Sequence, residues 1–178
     1  MCTKISILLL AFFFLLLLSG CHHKDTGLGN SGGAPIGQTQ AQTDEAKLKQ
    51  YGLSSPVVAL VRRVEKNHSK VSPNDFDTII HSIQSQRLTP KEAAVEMDVL
   101  LVAPNLDQHQ KQEALKLSQH LTSSNYKDDT DGQVKGAALM VLGKIEKKKA
   151  IPYLSTFLND SQDYVSSGAK TGIFAAKR

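Results

Sequence analysis

Cys21 is the residue whose place in the chain says most about chemistry, because its thiol directly follows the pattern of an export signal. Residues 7–18 are apolar, Lys4 supplies a positive charge before them, and the small residues Ser19 and Gly20 stand between this stretch and the cysteine. A cationic start, an apolar centre and a pair of small residues together predict a secretory signal peptide.

This arrangement resembles the lipobox of bacterial lipoproteins. The resemblance implies that residues 1–20 are removed, that the Cys21 sulfur is diacylated, and that the new amine is acylated again or left free. Two or three acyl chains hold a protein stably at a membrane. In this family an Asp after the cysteine favours retention at the inner membrane, whereas here His22 follows. The resemblance therefore favours the outer membrane, facing the periplasm, or the cell surface in a host with a single membrane.

Two simpler interpretations of the amino terminus stay open. A retained transmembrane anchor needs about 20 apolar residues, and residues 5–18 are fewer than that. Alternatively, Cys21 is an ordinary thiol behind an ordinary signal. If the lipoprotein interpretation holds, Cys2 leaves with the signal and Cys21 is lipidated, so that no thiol remains to form a disulfide or to bind a metal.

The charge balance does not favour a nucleic-acid-binding protein. The chain has 21 Lys and Arg against 17 Asp and Glu, and its basic residues, such as Arg62, Arg63 and residues 147–149, are interspersed with acids along the sequence. A nucleic-acid-binding domain typically shows a strongly basic stripe or face. The chain contains no Trp, so its core must depend mainly on aliphatic side chains, which suits packed helices.

The composition of residues 21–43 predicts a flexible tether between the membrane and the body of the protein. They are rich in Gly, Ser, Gln and Thr and nearly lack large apolar side chains, so that burial cannot offset the entropy of ordering. A random coil of this length has a mean reach of about 25 Å. His22 and His23 are adjacent, but two imidazoles in a disordered segment lack the fixed geometry of a metal site.

The body shows repeated signals for helix starts. The dipeptides at 55–56, 72–73 and 89–90 each place a capping Ser or Thr before a proline. Periodic apolar residues behind them form one helical face each. Pro104 is expected to stop the third helix, and a fourth is expected to begin near Asp107. Since no segment alternates with a period of two, the sequence predicts an all-α body.

The last third of the chain contains an internal repeat. Residues 134–138 and 165–169 stand 31 positions apart and share small residues at matching places. With Gly143 and the following Ile-Pro pair, this pattern resembles the bacterial short form of the HEAT repeat, most clearly over residues 130–176. The resemblance implies that residues 44–178 form a right-handed α-solenoid of antiparallel helix pairs. Small residues would let its helices approach closely, and Gly143 would loosen the end of its helix.

An acidic cluster at residues 128–132 fits part of a calcium-binding EF-hand loop. However, Lys127 and Ala138 occupy the two end positions of that loop, where carboxylates are needed. Capping of the next helix by Thr130 or Asp131 explains the cluster better. We therefore expect no metal there.

The body carries no recognisable catalytic motif. Its histidines stand in no metal-binding or nucleophile motif, and the Asp107 and His109 pair is two positions apart, so that the two side chains point to different sides of a helix. No cofactor is predicted. Four tyrosines are expected to pack in the core or at its rim, and contact with a partner is the alternative: Tyr51, Tyr126, Tyr153 and Tyr164.

The leading hypothesis from the sequence is a membrane-anchored helical-repeat adaptor, not an enzyme, that binds another protein of the cell envelope. Solenoids offer extended surfaces made of successive helices, here predicted to include Gln133, Lys135, Ser166, Ser167 and Lys170. One alternative is a pilot-type lipoprotein that escorts a secretion or pilus component to the outer membrane. The other is an unrecognised enzyme, which would require titratable groups that converge in a pocket.

Overall fold

The computed structural model describes residues 48–178, and this part of the protein is helical, with no residue in a β-strand. Residues 48–50 are helical, and seven further α-helices and one 3₁₀ helix follow: α1 Ser55–Lys66, α2 Pro73–Gln84, α3 Pro90–Val102, α4 Gln108–Ser123, α5 Gln133–Glu146, the 3₁₀ helix Lys147–Ala150, α6 Ile151–Ser155 and α7 Asp163–Ala176. Among them, none has both the length and the apolar character that crossing a bilayer requires. The all-α prediction is confirmed for this part of the chain.

Several predictions fall outside the described residues. They are the signal at residues 1–20, the lipidation of Cys21, the tether at residues 21–43 and the first residues of the predicted body, up to residue 47. They remain predictions that rest on the sequence.

The predicted helix starts are correct for α2 and α3 and shifted by one residue for α1. Ser72 caps α2, and Thr89 forms a full capping box with Glu92 at the start of α3. For α1, however, the N-cap is Ser54 and not Ser55. The Ser54 side chain makes no capping bond, and its backbone N–H instead donates to Glu92 Oε1 at 2.8 Å. A neighbouring helix thus takes over the role that a local cap plays elsewhere.

Helix α3 is buried around its whole circumference, whereas the apolar periodicity predicted one buried face. All residues from 92 to 100 are buried, including the charged Glu92, Glu96 and Asp98. The reason is its central position, since α3 packs against α1, α2 and α5. A helix in contact on several sides buries polar positions that would face water on a peripheral helix.

The odd-numbered helices α1, α3, α5 and α7 form one layer in which each helix contacts the next. The bond from Ser54 to Glu92 joins the starts of α1 and α3. At the other end, the Lys144 Nζ near the end of α5 donates to carbonyls at the end of α3. Neighbouring helices of this layer therefore run in the same direction.

Helices α5 and α7 continue this pattern and pack backbone against backbone. An added Cβ at Gly136, Gly143, Gly168 or Gly172 would come closer than 3.0 Å to backbone atoms of the opposite helix. The sequence suggested that Gly143 loosens the end of α5; the helix continues through Gly143 to Glu146, and the structure gives this glycine a packing role. It lies against Gly172, at the point where only a residue without a side chain permits this approach.

The even-numbered helices α2 and α4 form a second layer, and loops join their ends. Before the two helices, the Asn105 side chain accepts from Val71 N at 2.9 Å and donates to Val71 O at 2.8 Å. After them, the Tyr126 hydroxyl donates to Leu88 O at 3.1 Å. These bonds place the start of α2 beside the start of α4 and the end of α2 beside the end of α4, so the two helices run in the same direction. The buried apolar side chains of both layers form the core.

Candidate functional site

The five predicted partner-binding residues lie in two adjacent helices, four of them within the first five residues of their helix and Lys170 near the middle of α7. Gln133 and Lys135 are in α5, and Ser166, Ser167 and Lys170 are in α7. Lys170 is exposed and the other four are partly exposed. Ser166 and Lys170 are one turn apart and share a face of α7, whereas Gln133 and Lys135, two positions apart, lie on different sides of α5. The structure thus places these residues in neighbouring elements without bringing all of them onto one face.

Lys135 belongs to a small surface cluster with two aromatic rings, which we call the aromatic corner: Lys135, Tyr153 and Phe157. The Lys135 Nζ lies 5.2 Å from the centre of the Phe157 ring. The rings of Tyr153 and Phe157 meet edge to face, with their centres 5.1 Å apart. Both geometries are favourable contacts of an ammonium group and of an aromatic pair, and they favour this arrangement of the three side chains.

The Tyr153 ring remains accessible in this arrangement. The side chain is 42% exposed, while its hydroxyl group bonds to Thr122 Oγ1 at 3.0 Å and so connects α6 to the end of α4. A fixed, exposed aromatic side chain offers apolar area at a low entropic cost, which is why tyrosine is enriched at protein interfaces. Of the other tyrosines, Tyr126 is buried in the core as the packing interpretation expected.

The start of α5 is capped by Asp129, and not by Thr130 or Asp131 as the sequence suggested. Its carboxylate accepts from Gln133 N at 2.8 Å, Val134 N at 3.1 Å and Lys135 N at 3.4 Å. Gly132 has a positive φ of 75°, and this turn of the backbone brings the earlier aspartate under the first turn of α5. The acidic cluster thus serves the helix start, and residues 48–178 contain no group of three or more His, Cys, Asp or Glu that could hold a metal ion.

Helix α3 buries two carboxyl groups whose ionisation is strongly disfavoured. Burial, with a smaller contribution from the charge of Glu92, raises the pKa of Glu96 to about 7. A hydrogen bond from the Ser82 hydroxyl acts in the opposite direction but does not outweigh burial. Burial alone raises the pKa of Asp98 to about 7, and its Oδ1 has no hydrogen-bond partner. Both side chains point away from each other, since two positions on a helix are about 200° apart.

Glu92 behaves in the opposite way because its carboxylate has several donors. Burial acts to raise its pKa, but hydrogen bonds from Ser54 and Thr89 outweigh burial and lower the pKa below its usual value. Its two oxygens accept from Ser54 N at 2.8 Å and from Thr89 N at 3.0 Å. Glu92 is therefore a structural link between the starts of α1 and α3.

Lys144, like Glu92, is an ionisable residue with a structural role. Its Nζ donates to Ala103 O at 2.7 Å, to Leu101 O and, at 3.4 Å, to Leu100 O. These carbonyls lie at the end of α3, where no backbone N–H of the same helix can reach them. Burial, followed by the charges of Lys147 and Lys111, lowers the pKa of Lys144 to about 8.

The histidines of the described chain do not gather into a site. His68, His81, His109 and His120 are all exposed and lie in different turns of the structure. The carboxylate of Asp107, considered with His109 as an acid–base pair, instead caps α4 by accepting from Gln110 N at 2.8 Å. The converging arrangement that an acid–base pair needs is not present at these two residues.

Sequence reasoning missed the aromatic corner and the buried acids, although both leave a signal. Tyr153 and Phe157 are four positions apart, which is the spacing of neighbours on a helical turn. Glu96 is three residues after Ala93 and four before Leu100, so that the periodicity itself places a carboxyl on an apolar face. The contact of Lys135 with Phe157 leaves no local signal, because it depends on how α5 and the segment after α6 pack.

Comparison of the chain with models of known protein families, with curated proteins and with solved structures finds no match.

Proposed function

We propose that this protein is a membrane-anchored, helical-repeat adaptor that binds another protein of the cell envelope through the aromatic corner. The observation that carries the proposal is the exposed Tyr153 ring, in edge-to-face contact with the partly buried Phe157 ring, which lies beside the Lys135 ammonium group. Aromatic side chains that are exposed but preorganised are typical centres of protein interfaces. Gln133, Ser166 and Ser167 near the starts of α5 and α7, and Lys170 one turn after Ser166, are proposed as further partner contacts.

The repeat interpretation draws support from the spacing of equivalent helix starts. The N-caps Ser54 and Thr89 of the odd layer are 35 positions apart, and so are the N-caps Ser72 and Asp107 of the even layer. The next N-caps of the odd layer, Gly132 and Gln162, follow after 43 and 30 positions, so the 35-residue spacing holds for the first two repeats only. Two layers of parallel helices are the arrangement of an α-solenoid, in which each repeat stacks on the one before. We therefore propose a right-handed solenoid of HEAT-like pairs for the body.

The anchor completes the proposal. Lipidation of Cys21 places the adaptor at the outer membrane, facing the periplasm, or at the cell surface of a host with a single membrane. A tether of residues 21–43 lets the body move about 25 Å on average from the lipid. The adaptor requires no cofactor, metal or catalytic group.

Photo-crosslinking in living cells tests the proposal. Benzoylphenylalanine is placed at position 153 or 157, where it replaces one aromatic side chain by another, and in a matched control at the exposed position of Lys116 in α4, whose side chain is 72% exposed. We expect one discrete adduct with an envelope protein from positions 153 and 157 and none from position 116.

A second change identifies the surface. Lys135→Glu reverses the charge beside the Phe157 ring and should weaken the adduct severalfold, because cation–π contacts and interfacial charges contribute on the order of 1 kcal/mol. Equal adducts from all three crosslinker positions, or an adduct that is insensitive to Lys135→Glu and absent with purified components, would contradict the adaptor proposal.

A further inference from the structure

The carboxyl ends of α5 and α7 gather basic side chains that are scattered in the sequence. Lys147, Lys148 and Lys149 form the 3₁₀ helix directly after α5, and this helix packs against α7. Lys177 and Arg178 follow the end of α7. All five side chains are exposed. We call this surface the basic end; the sequence alone had suggested that its charges were dispersed.

The basic end is not occupied by ion pairs. Within residues 48–178, the ammonium groups of Lys147, Lys148 and Lys149 form no hydrogen bond and no ion pair, in contrast to Lys144, whose three donors cap α3. Cations near helix ends stabilise the helix dipole, but that role does not require three successive lysines that reach into solvent. The charge of Lys147 acts on its surroundings, since it contributes to the lowered pKa of Lys144.

The opposite ends of the same two helices carry acids. Asp128, Asp129 and Asp131 precede α5, and Asp160 and Asp163 lie at the start of α7. A helix of 14 residues is about 21 Å long, which exceeds the screening length of about 8 Å at physiological ionic strength. These acids therefore do not neutralise the basic end. The nearest acid in the sequence is Glu146, directly before Lys147, and one carboxylate does not balance the five cations of the basic end.

We propose that the basic end binds the surface of a membrane that contains anionic phospholipids. The composition of the basic end favours lipid over protein, because lysine is depleted in protein interfaces, whereas clusters of lysine near a membrane attract anionic headgroups. Phe174 stands at its rim, 56% exposed, with the Arg178 guanidinium 4.1 Å from the ring centre. Aromatic rings beside cations suit the region between headgroups and acyl chains.

Docking in this way would orient the body. The acidic ends of α5 and α7 would be repelled and would point away from the anionic surface. The aromatic corner would then be held at a fixed orientation above the membrane. This inference is independent of the protein partner proposed above, because the two surfaces are made of different residues.

The experiment uses the full chain with vesicles of phosphatidylcholine, alone or mixed with phosphatidylglycerol. A water-soluble amine-acylating reagent labels exposed lysines, and mass spectrometry measures the rate at each one. We expect Lys147, Lys148, Lys149 and Lys177 to react at least fivefold more slowly on the anionic vesicles, and added salt to restore the rate. Lys116 and Lys127, which lie outside the basic end, should react equally on both.

A triple variant and its matched control identify the surface. In Lys147→Gln/Lys148→Gln/Lys149→Gln, the ratio of docked to free protein should fall roughly a hundredfold, at roughly fivefold for each cation, so that Lys177 loses its protection. Lys91→Gln/Lys116→Gln/Lys127→Gln removes the same charge elsewhere and should leave Lys177 protected.

Two outcomes would overturn the inference. One is equal labelling of Lys177 on both kinds of vesicle. The other is protection of the basic end by soluble polyglutamate but not by anionic vesicles, which would assign this surface to an acidic polypeptide. Neither outcome affects the crosslinking result expected at the aromatic corner, so the two proposals can fail separately.

Discussion

At the scale of single residues, the buried carboxyl of Glu96 should make the stability of the protein depend on pH. Its pKa is about 7 in the folded protein, against 4.5 for the free side chain. Between these values Glu96 binds more protons in the folded state than in the unfolded state, so its contribution to the free energy of unfolding falls as the pH rises from about 4.5 to about 7 and then stays level. Asp98, whose pKa burial also raises to about 7, adds a dependence of the same sign.

The variant Glu96→Gln removes the part of this dependence that is due to Glu96, leaves the part due to Asp98, and keeps an acceptor for the Ser82 hydroxyl. We expect it to be more stable than the wild type by up to about 3 kcal/mol above pH 7 and of similar stability near pH 4.5. Urea unfolding at both pH values measures the difference. Asp77→Asn, at an exposed position of α2, removes one negative charge without burial and controls for net charge; an equal gain from this variant would contradict the assignment to Glu96.

Lys144 contributes to stability through three carbonyls of another helix. Lys144→Met keeps the length of the side chain and removes its donors, which leaves the end of α3 without partners. Because hydrogen bonds from a charged group are worth about 1.5 to 3 kcal/mol, we expect a loss of about 2 kcal/mol in urea unfolding. Lys116→Met at an exposed position of α4 should cost less than about 0.5 kcal/mol. Equal losses in the two variants would show that the cap does not stabilise α3.

At the scale of the helices, the sequence predicted where most elements begin and end, because these signals are local. The hydroxyl before a proline at Ser72 and Thr89, the stop at Pro104 and the start at Asp107 all act within one turn of the chain. The sequence-based predictions were wrong where a contact with a residue far along the chain determines the local structure. Ser54 bonds to Glu92, 38 positions away, and the charged side chains of α3 are buried because other helices surround it.

The crossing of α5 and α7 is also set by a contact between distant residues. Gly143→Ala would place a methyl group against the carbonyl of Gly172, and a backbone atom cannot move aside as a flexible side chain can. We expect a destabilisation of about 3 kcal/mol. In an unconstrained helix the same change would instead stabilise by about 1 kcal/mol, so the sign of the effect measured in urea unfolding distinguishes a close crossing from a loosened helix end.

A matched substitution in α7 controls for the change in helix propensity. The control is Thr171→Ala, because Thr171 lies one position before Gly172 and is only partly buried. It should change the stability by less than about 1 kcal/mol. If Gly143→Ala were as mild as Thr171→Ala, the backbone contact would not limit the packing of the two helices.

At the scale of the whole molecule, two surfaces could not be found from the sequence because each is assembled from separate segments. The aromatic corner joins α5 to α6 and the residues that follow α6, and the basic end joins the 3₁₀ helix to the end of α7. Helical periodicity predicts which face of a helix is buried, but not which exposed residues of different helices become neighbours. The proposed anchor is the reverse case, since the residues that resemble a lipobox stand next to one another in the sequence.

The proposed lipid anchor leads to a prediction about where the body is held in the cell. We expect the protein from bacterial membranes to lack residues 1–20 and to begin with an acylated Cys21, because a single-chain modification binds only marginally whereas two or three chains hold firmly. Mass spectrometry of the amino-terminal peptide measures both features. Cys21→Ala should yield a product that is neither acylated nor cut before residue 21, whereas Cys2→Ala, the matched change within the signal, should leave the modification intact. A free thiol at Cys21 in the native product would leave the body without this anchor, and the basic end would then be its remaining proposed contact with the membrane.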